Sequence, residues 1–529
     1  MPSLQLLGAV LKVVTTNEMK ELERGAAKQG LPNEVLMENA GLAIAQRVKG
    51  WLGSAVGRQI LVLVGPGNNG GDGLVAARHL HDWGARISIY LCNQRREDDP
   101  NYHIVTERGI PTTIASEDKH LADLDSALSS SDVVIDALFG TGKLRPLEGV
   151  IGEVLTRVRG AKEAQPGLKV IAIDLPSGLD ADSGAADPSC LAADLTVTLG
   201  YPKIGLFSFP GRDLVGELMV ADIGIPVNLG EGIATELITE ESVRSMLPQR
   251  PHSAHKGTFG RVLVCAGSLQ YIGAAYLACE GAMRVGAGLV TLAVAQSLQP
   301  ILAAKLTEVT YAPLPEAEPG FISNEAASSL HERLADYDVL LMGCGLSQHP
   351  SVMGFIRDSL LEMPSSLSPL LVLDADALNT LAQTPQWWQR LSQDAILTPH
   401  PGEMARLSEL PVEEIGRERL RVAREEAALW HKTVVLKGAH TVVASPGGEV
   451  KISAMANPGL ASAGTGDVLS GAIAGLLAQG LPYIAAAACG VYLHGLAGET
   501  VRAELGDAGM VASDLLPALP RAIKKIREG

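Results

Sequence analysis

Gly464-Thr465-Gly466-Asp467 runs directly into a segment with helically spaced apolar residues, Val468, Leu469, Ile473, Leu476 and Leu477, closed by Gly480. Glycines let backbone N–H groups approach a ligand closely. A helix N-terminus adds unpaired donors and partial positive charge, which attract phosphate. A carboxylate beside such an anion hole is badly placed to bind phosphate. It is well placed to take the proton of a hydroxyl that attacks one. Asp467 is therefore a candidate general base, and its plain alternative is a helix cap after a flexible turn.

Three further clusters carry polar groups next to glycines. QILVLVG at 59–65 reads as a buried parallel strand. It ends in a turn holding Asn68, Asn69, Gly70, Gly71 and Asp72, and a helix is expected from LVAARHLHDWG onward. The arrangement is that of phosphate-cradling nucleotide folds, but the spacing is not that of the ordinary dinucleotide fingerprint. SDVVIDALFGTG at 131–142 is a strand carrying Asp136 and a second glycine turn. KVIAIDLPSGLDADSG at 169–184 is a strand ending in Asp174, with Ser177 and Gly178 beyond. All three lie just after strand C-termini, the ligand-binding edge of open α/β sheets. Singly, each Asp reads as a turn residue; three equivalent positions point to a site.

The second half has its own set. Asp374 and Asp376 end the strand of PLLVLDADALN, His400 sits in a Pro-braced turn before a helix with Glu403 near its start, and Lys437-Gly438-Ala439-His440-Thr441 follows another strand. A Lys at a strand end can equally be a solvated charge, and a lone His in a turn is commonly structural.

The elements that must hold these groups alternate between strand and helix in both halves. That pattern gives two α/β domains with mostly parallel sheets, the first of them three-layered. Pro226, Gly230, Gly232 and Pro248 mark the junction, and the expected domains are 1–228 and 229–529. A length of 529 residues suits two large domains, and 47% hydrophobic with 19% charged residues excludes global disorder. The net charge of −16 argues against a nucleic-acid scaffold. Six scattered cysteines without a C-x-x-C pair read as buried thiols of a reducing compartment, so a cytoplasmic protein is expected. No uninterrupted apolar run is long enough for a membrane span, and the start reads as a short extension rather than a signal peptide.

NNGGDG, DALFGTG and DLPSGLDAD together resemble the epimerase domain of the bifunctional NAD(P)H-hydrate repair family. HKGTFG, GAAYLACEGAMRVGAGLV, DADALN, TPHPGE, KGAHT and NPGLASAGTGD resemble its dehydratase domain, which is similar to the ribokinase superfamily. The resemblance implies two αβα domains, Rossmann-like then ribokinase-like. It implies substrates that are nicotinamide cofactors hydrated at ring carbon 6, NADHX and NADPHX, with ADP as the second substrate of the dehydratase half. By the same resemblance Asn68, Asn69, Gly70, Gly71 and Asp72 form a substrate loop, and Gly140, Thr141, Gly142, Lys143, Leu144, Arg145 and Pro146 a second one. Asp174 is the key acidic contact, and Asn69, Asp136 and Ser177 are potassium ligands. Ala275, Gly345, His400 and Asp467 line the hydrated-cofactor site of the second domain. Lys437, Gly438, Ala439, His440 and Thr441, with Gly464, Thr465 and Gly466, bind the nucleotide, while Glu403 helps organise magnesium. TPHPGE carries His400 where related kinases have Asn, and Gly343-Cys344-Gly345 carries Cys where Pro is common. A homo-oligomer is expected, with no nucleic-acid or membrane partner.

Two other readings stay open at this point. One is a ribokinase-like small-molecule kinase that keeps its phosphorylated product, fused to a nucleotide-binding module. The other is a non-catalytic first domain, which the joint presence of Asp136, Asp174 and Ser177 disfavours.

Overall fold

The central strands of this chain are continuous aliphatic runs, so they must be covered on both faces. The computed structural model describes residues 11–96, 98–142 and 146–528. The chain divides into two compact units, one ending at Ile233 and the other starting at Ala234.

Among the described residues, the first unit has one seven-stranded sheet: β1 (Gln59–Val64), β2 (Arg86–Leu91), β3 (Thr112–Ile114), β4 (Val133–Ala137), β5 (Lys169–Ile173), β6 (Leu195–Leu199) and β7 (Glu217–Ala221). Their order is β3-β2-β1-β4-β5-β6-β7, parallel throughout. The winding reverses between β1 and β4, and in such sheets a ligand crevice opens beyond the carboxyl ends at that reversal. Strand alternation divides the core in two. Ile60, Val62 and Val64 pack with Ile44, Val48, Leu74 and Leu80 on one face. Leu61 and Leu63 pack with Leu124, Leu128, Val154 and Val158 on the other. The result is helix, sheet and helix in three layers.

The turn expected after β1 is shorter than the sequence pattern suggested. Helix α1 spans Asn68–Asp82, so Asn68 to Asp72 form its first turn rather than a loop ahead of Leu74. Glycine disfavours a helix interior by about 1 kcal/mol, but packing overrides this: a Cβ on Gly70 would overlap the Gly65 carbonyl, and one on Gly71 would lie 2.7 Å from Met37 Sδ.

In the second unit the sheet strands are β8 (Thr235–Ile238), β9 (Arg261–Cys265), β10 (Leu289–Ala295), β11 (Thr310–Leu314), β12 (Val339–Met342), β13 (Leu370–Leu373), β14 (Ala395–Leu397), β15 (Thr433–Leu436), β16 (Val442–Ala444) and β17 (Val450–Ser453). They run in the order β8-β17-β16-β15-β14-β13-β12-β9-β10-β11. β16 is antiparallel to both neighbours, and the remaining pairs are parallel.

Helices α2 (Ile272–Arg284) and α5 (Thr465–Ala478) carry the site in this unit, with α3 (Ala375–Ala382) and α4 (Pro401–Ser408) between them in chain order. Their backbones touch. A Cβ on Gly471 would overlap the Ala278 carbonyl, and those on Gly281 and Gly475 would lie 2.6 Å from the carbonyls of Val468 and Ala282. Gly471→Val should therefore lower stability by about 1–3 kcal/mol through overpacking. A denaturant midpoint equal to the parent's would show that the two helices can part without cost. The next helix, α6 (Tyr483–Leu505), is long and apolar enough to cross a membrane by length and composition, yet 83% of its most apolar window is buried inside the fold. It is a core helix.

Candidate functional sites

In the second unit the strand ends deliver the chemistry. β12, β13, β14 and β15 end at Gly343-Cys344, Asp374, Thr398-Pro399-His400 and Lys437, and α5 begins beside them. Gly464 is the N-cap of α5, in the left-handed region at φ 88°, and no side chain caps the helix. Asp467 is the third helical residue and makes no cap bond, so the plain capping reading does not apply to it. The loop before it is held by Thr465, whose hydroxyl donates to the carbonyls of Leu460 (2.8 Å) and Ser462 (2.9 Å). The buried His494 ring binds the Thr465 carbonyl through Nε2 at 3.0 Å. Burial outweighs that bond and drops the imidazole to about 4, so it is neutral.

Asp374 is the hub. Its carboxylate accepts from Lys437 Nζ (2.6 Å), Ser470 Oγ (2.7 Å) and the Ala375 amide (2.9 Å). Burial pushes its carboxyl up, but Lys437, Ser470 and Thr398 outweigh burial and hold it below the usual range. Lys437 also faces Glu403 Oε2 at 3.8 Å and lies 3.4 Å from the Cβ position of Gly466. Its charge is thus aimed at the α5 loop from below. Burial lowers its ammonium, and Asp374 and Glu403 more than restore it.

Asp467 lies in the same group. Cys344 Sγ and one oxygen each of Asp374 and Asp467 sit within 4.8 Å of one another. Burial first, then the charge of Asp374, lift the Asp467 carboxyl to about 7, partly offset by the Cys344 thiol and Lys437. Burial keeps the Cys344 thiol protonated, with Asp467 and Asp374 adding to the effect. A carboxyl near 7 can both take and return a proton at neutral pH.

The other expected residues of this unit divide. His400 is exposed and caps helix α4 (Pro401–Ser408): Nδ1 accepts from the amides of Gly402 (3.0 Å) and Glu403 (3.3 Å). Burial, then Lys437 and Arg406, lower its imidazole, so neutral His400 carries its proton on Nε2. Glu403 returns the cap at 2.8 Å to the His400 amide, and its buried carboxylate is committed there and to Lys437. Gly345 packs on the start of α2, where its Cβ would lie 2.6 Å from that of Ala274; Ala275 is fully buried against Gly267. In the 437–441 segment, Gly438 and Ala439 are exposed, Thr441 donates to the Gly438 carbonyl, and His440 is buried with Nδ1 3.0 Å from the Ser453 carbonyl.

In the first unit, the crevice at the β1/β4 reversal collects the expected residues. Asn69 Oδ1 and Asp174 Oδ2 lie 3.1 and 3.2 Å from the Cβ position of Gly140. Asn68 is exposed at the tip of α1, while Asn69, Gly70, Gly71 and Asp72 are buried. The buried Nδ2 of Asn69 has no hydrogen-bond partner. Thr141 is half-buried, Gly142 and Pro146 are exposed, and Lys143, Leu144 and Arg145 lie outside the described residues. Asp174 itself adopts φ 65°, a conformation non-glycine residues rarely take. Burial, then Asp174 and Glu23, push the Asp72 carboxyl well above its usual value. The charged form of Asp72 is thus disfavoured, close to the ion-paired Asp174.

Asp136 and Ser177 meet behind this crevice. Asp136 accepts from Ser177 Oγ (2.6 Å), the Ser177 amide (2.9 Å) and the Leu138 amide (3.2 Å). All three donors are neutral, and burial raises the carboxyl. Among the described residues no ion pair reaches this buried carboxyl, a setting that suits a cation with oxygen ligands.

Two residues escaped the sequence reading, and the role of a third was only partly legible in it. Lys203 is fully buried and ion-paired with Asp174. Arg95 donates to the carbonyls of Gly65 (2.9 Å) and Gly67 (3.3 Å), bracing the first turn of α1. Asp374 stood out only as a strand-end acid; its partners come from strands and helices distant in sequence.

A family model described as YjeF-related protein N-terminus matches residues 33–205, and one described as NAD(P)H-hydrate dehydratase matches 262–521. The bifunctional NAD(P)H-hydrate repair enzyme Nnr of Moorella thermoacetica is 42% identical, covering 98% of this chain and 97% of its own. That of Thermofilum pendens is 38% identical over the same shares. A crystal structure of the ADP/ATP-dependent NAD(P)H-hydrate dehydratase from Bacillus subtilis, with ATP and Mg2+, is 34% identical over 55% of this chain and 98% of its own, with a TM-score of 0.48.

Proposed function

This chain belongs to the family of bifunctional NAD(P)H-hydrate repair enzymes, and on that premise we propose that its first unit interconverts the R and S forms of hydrated NADH and NADPH while its second returns the S form to NAD(P)H at the expense of ADP. The observation that carries the dehydratase reading is Asp467: an uncapped helix start, a carboxyl near 7 and the Lys437 charge converge on one point.

Hydroxide is a poor leaving group, so dehydration requires the ring hydroxyl to be activated. Asp467 takes the hydroxyl proton as that oxygen attacks the terminal phosphorus of ADP, and AMP leaves. The first-turn N–H groups of α5 and Lys437 meet the developing phosphoryl charge. The ring nitrogen lone pair then expels phosphate, and loss of a ring proton restores the dihydropyridine. Magnesium bound with ADP would spread phosphate charge. Glu403, tied to its cap and to Lys437, suits an organising role rather than direct ligation.

In the first unit, opening and reclosing the C–O bond inverts the carbon. Asp174 shuttles the proton while Asn69, the start of α1 and the 140–146 segment hold the ring and phosphates. Potassium would be held by Asp136 and Ser177, with Asn69 nearby, and would supply positive charge beside Asp136, whose carboxyl burial raises. The boundary between the activities is taken at the junction that follows residue 228. Six free, buried cysteines support a reducing, cytoplasmic setting. Self-association is part of the same reading and can be counted by light scattering.

The deciding experiment incubates racemic hydrated NADH with the protein and ADP, ATP or no nucleotide, and follows reduced-nicotinamide absorbance. Full recovery with ADP is expected. Recovery stalling at half would remove the epimerase activity. Accumulation of a phosphorylated product, with ATP alone productive, would favour a kinase.

A further inference from the structure

We propose that Lys203 is a positioning residue for Asp174, fixing one carboxylate oxygen so that the other is presented to the substrate; this rests on the epimerase reading of the first unit. Lys203 follows β6 in the segment Tyr201-Pro202-Lys203. That segment is pinned by the Val14 amide on the Pro202 carbonyl (2.9 Å) and by the Ile204 amide on the Val14 carbonyl (3.1 Å). The side chain is fully buried. An ammonium has three hydrogens, and all three are used: on Asp174 Oδ1, on the Leu199 carbonyl at 2.9 Å and on Thr198 Oγ1 at 3.3 Å. Lys203 therefore has no hydrogen left for a substrate, and its effect must pass through Asp174.

Asp174 is correspondingly asymmetric. Oδ1 accepts from Lys203, from the Leu199 amide at 3.1 Å and from Thr198 Oγ1 at 3.2 Å. Oδ2 lies 3.2 Å from the Cβ position of Gly140, at the start of the second expected substrate loop. One oxygen is anchored and one is offered. Lys203 also acts on each member of a cluster in which Asp174, Asp72 and Glu23 interact, with Lys20 adding to its effect on Glu23. Without it, three carboxyl groups would share one partly buried space.

The test uses the full chain and measures R/S interconversion of hydrated NADH by chromatography. Lys203→Met should lower kcat by about 100-fold, the scale of a misplaced catalytic group, with KM changing far less. Lys203→Arg should recover part of kcat. A merely structural lysine would not lower kcat while leaving KM in place, and would not be rescued by Lys203→Arg. If Lys203→Met does not fold, Thr198→Val decides: it removes one bond to Oδ1, leaves the charge in place, and should lower kcat several-fold; an unchanged kcat overturns the inference. An Asp174→Asn chain that still interconverts the epimers sinks the underlying epimerase reading. An inactive Asp174→Asn chain beside a folded Lys203→Met chain with parental kcat sinks the positioning role alone.

Discussion

Asp467→Asn should slow ADP-coupled dehydration by about 10²–10⁴-fold while leaving ADP binding intact. Asn matches Asp in shape, and Asp467 makes no cap bond, so the α5 loop and its N–H donors should stay as they are. The melting temperature should hold or rise, because the variant replaces a carboxyl whose charged form is disfavoured by burial and by Asp374 with a neutral amide. The pH dependence is the sharper test. A base with its pKa lifted to about 7 is protonated, and idle, below that value. The parent's single-turnover rate should therefore rise as pH passes through about 7 and then level off, and the residual rate of Asp467→Asn should lack that limb. Epimerisation belongs to the other unit and should be untouched. Near-parental turnover in Asp467→Asn would remove Asp467 as the base.

Asp174→Ala should abolish interconversion of the epimers, again by about 10²–10⁴-fold, while dehydration of the S form proceeds at the parental rate. With racemic substrate and ADP, recovery of reduced cofactor should then stop near half, the untouched remainder being R hydrate. Alanine leaves Lys203 buried without its partner, which destabilises the unit by roughly 3–5 kcal/mol. Asp174→Asn is the companion variant, since it keeps the oxygen facing Lys203 and should be equally inactive. Equal loss of both activities in folded protein would contradict two separate sites.

Much of this was written locally. The aliphatic runs before each glycine cluster fix where strands end, and parallel sheets bring those ends to one edge. That is why Asn69, Asp136, Asp174 and Ser177, or Asp467 and Lys437, can be singled out from order and spacing. The sequence also carries the family motifs in order over nearly the whole chain. It misjudged the start of α1, because glycine propensity argued for a loop at Gly70-Gly71 whereas close packing on Gly65 and Met37 demanded glycine within a helix.

What only the tertiary structure decided is the protonation and aim of the groups. Lys203 reads as an unremarkable lysine after a strand; burial and three acceptors, from β6 and the end of β5, make it the anchor of Asp174. Lys437 reads as a nucleotide contact or a solvated charge; Asp374, sixty-three residues earlier, turns it toward the α5 loop. Asp467 carries an ordinary carboxylate by composition, and only burial beside Asp374 raises it to about 7. Spacing along a chain determines which strand end a residue occupies. Desolvation and the field of nearby charges depend on segments far apart in sequence, so they exist only once the chain has folded.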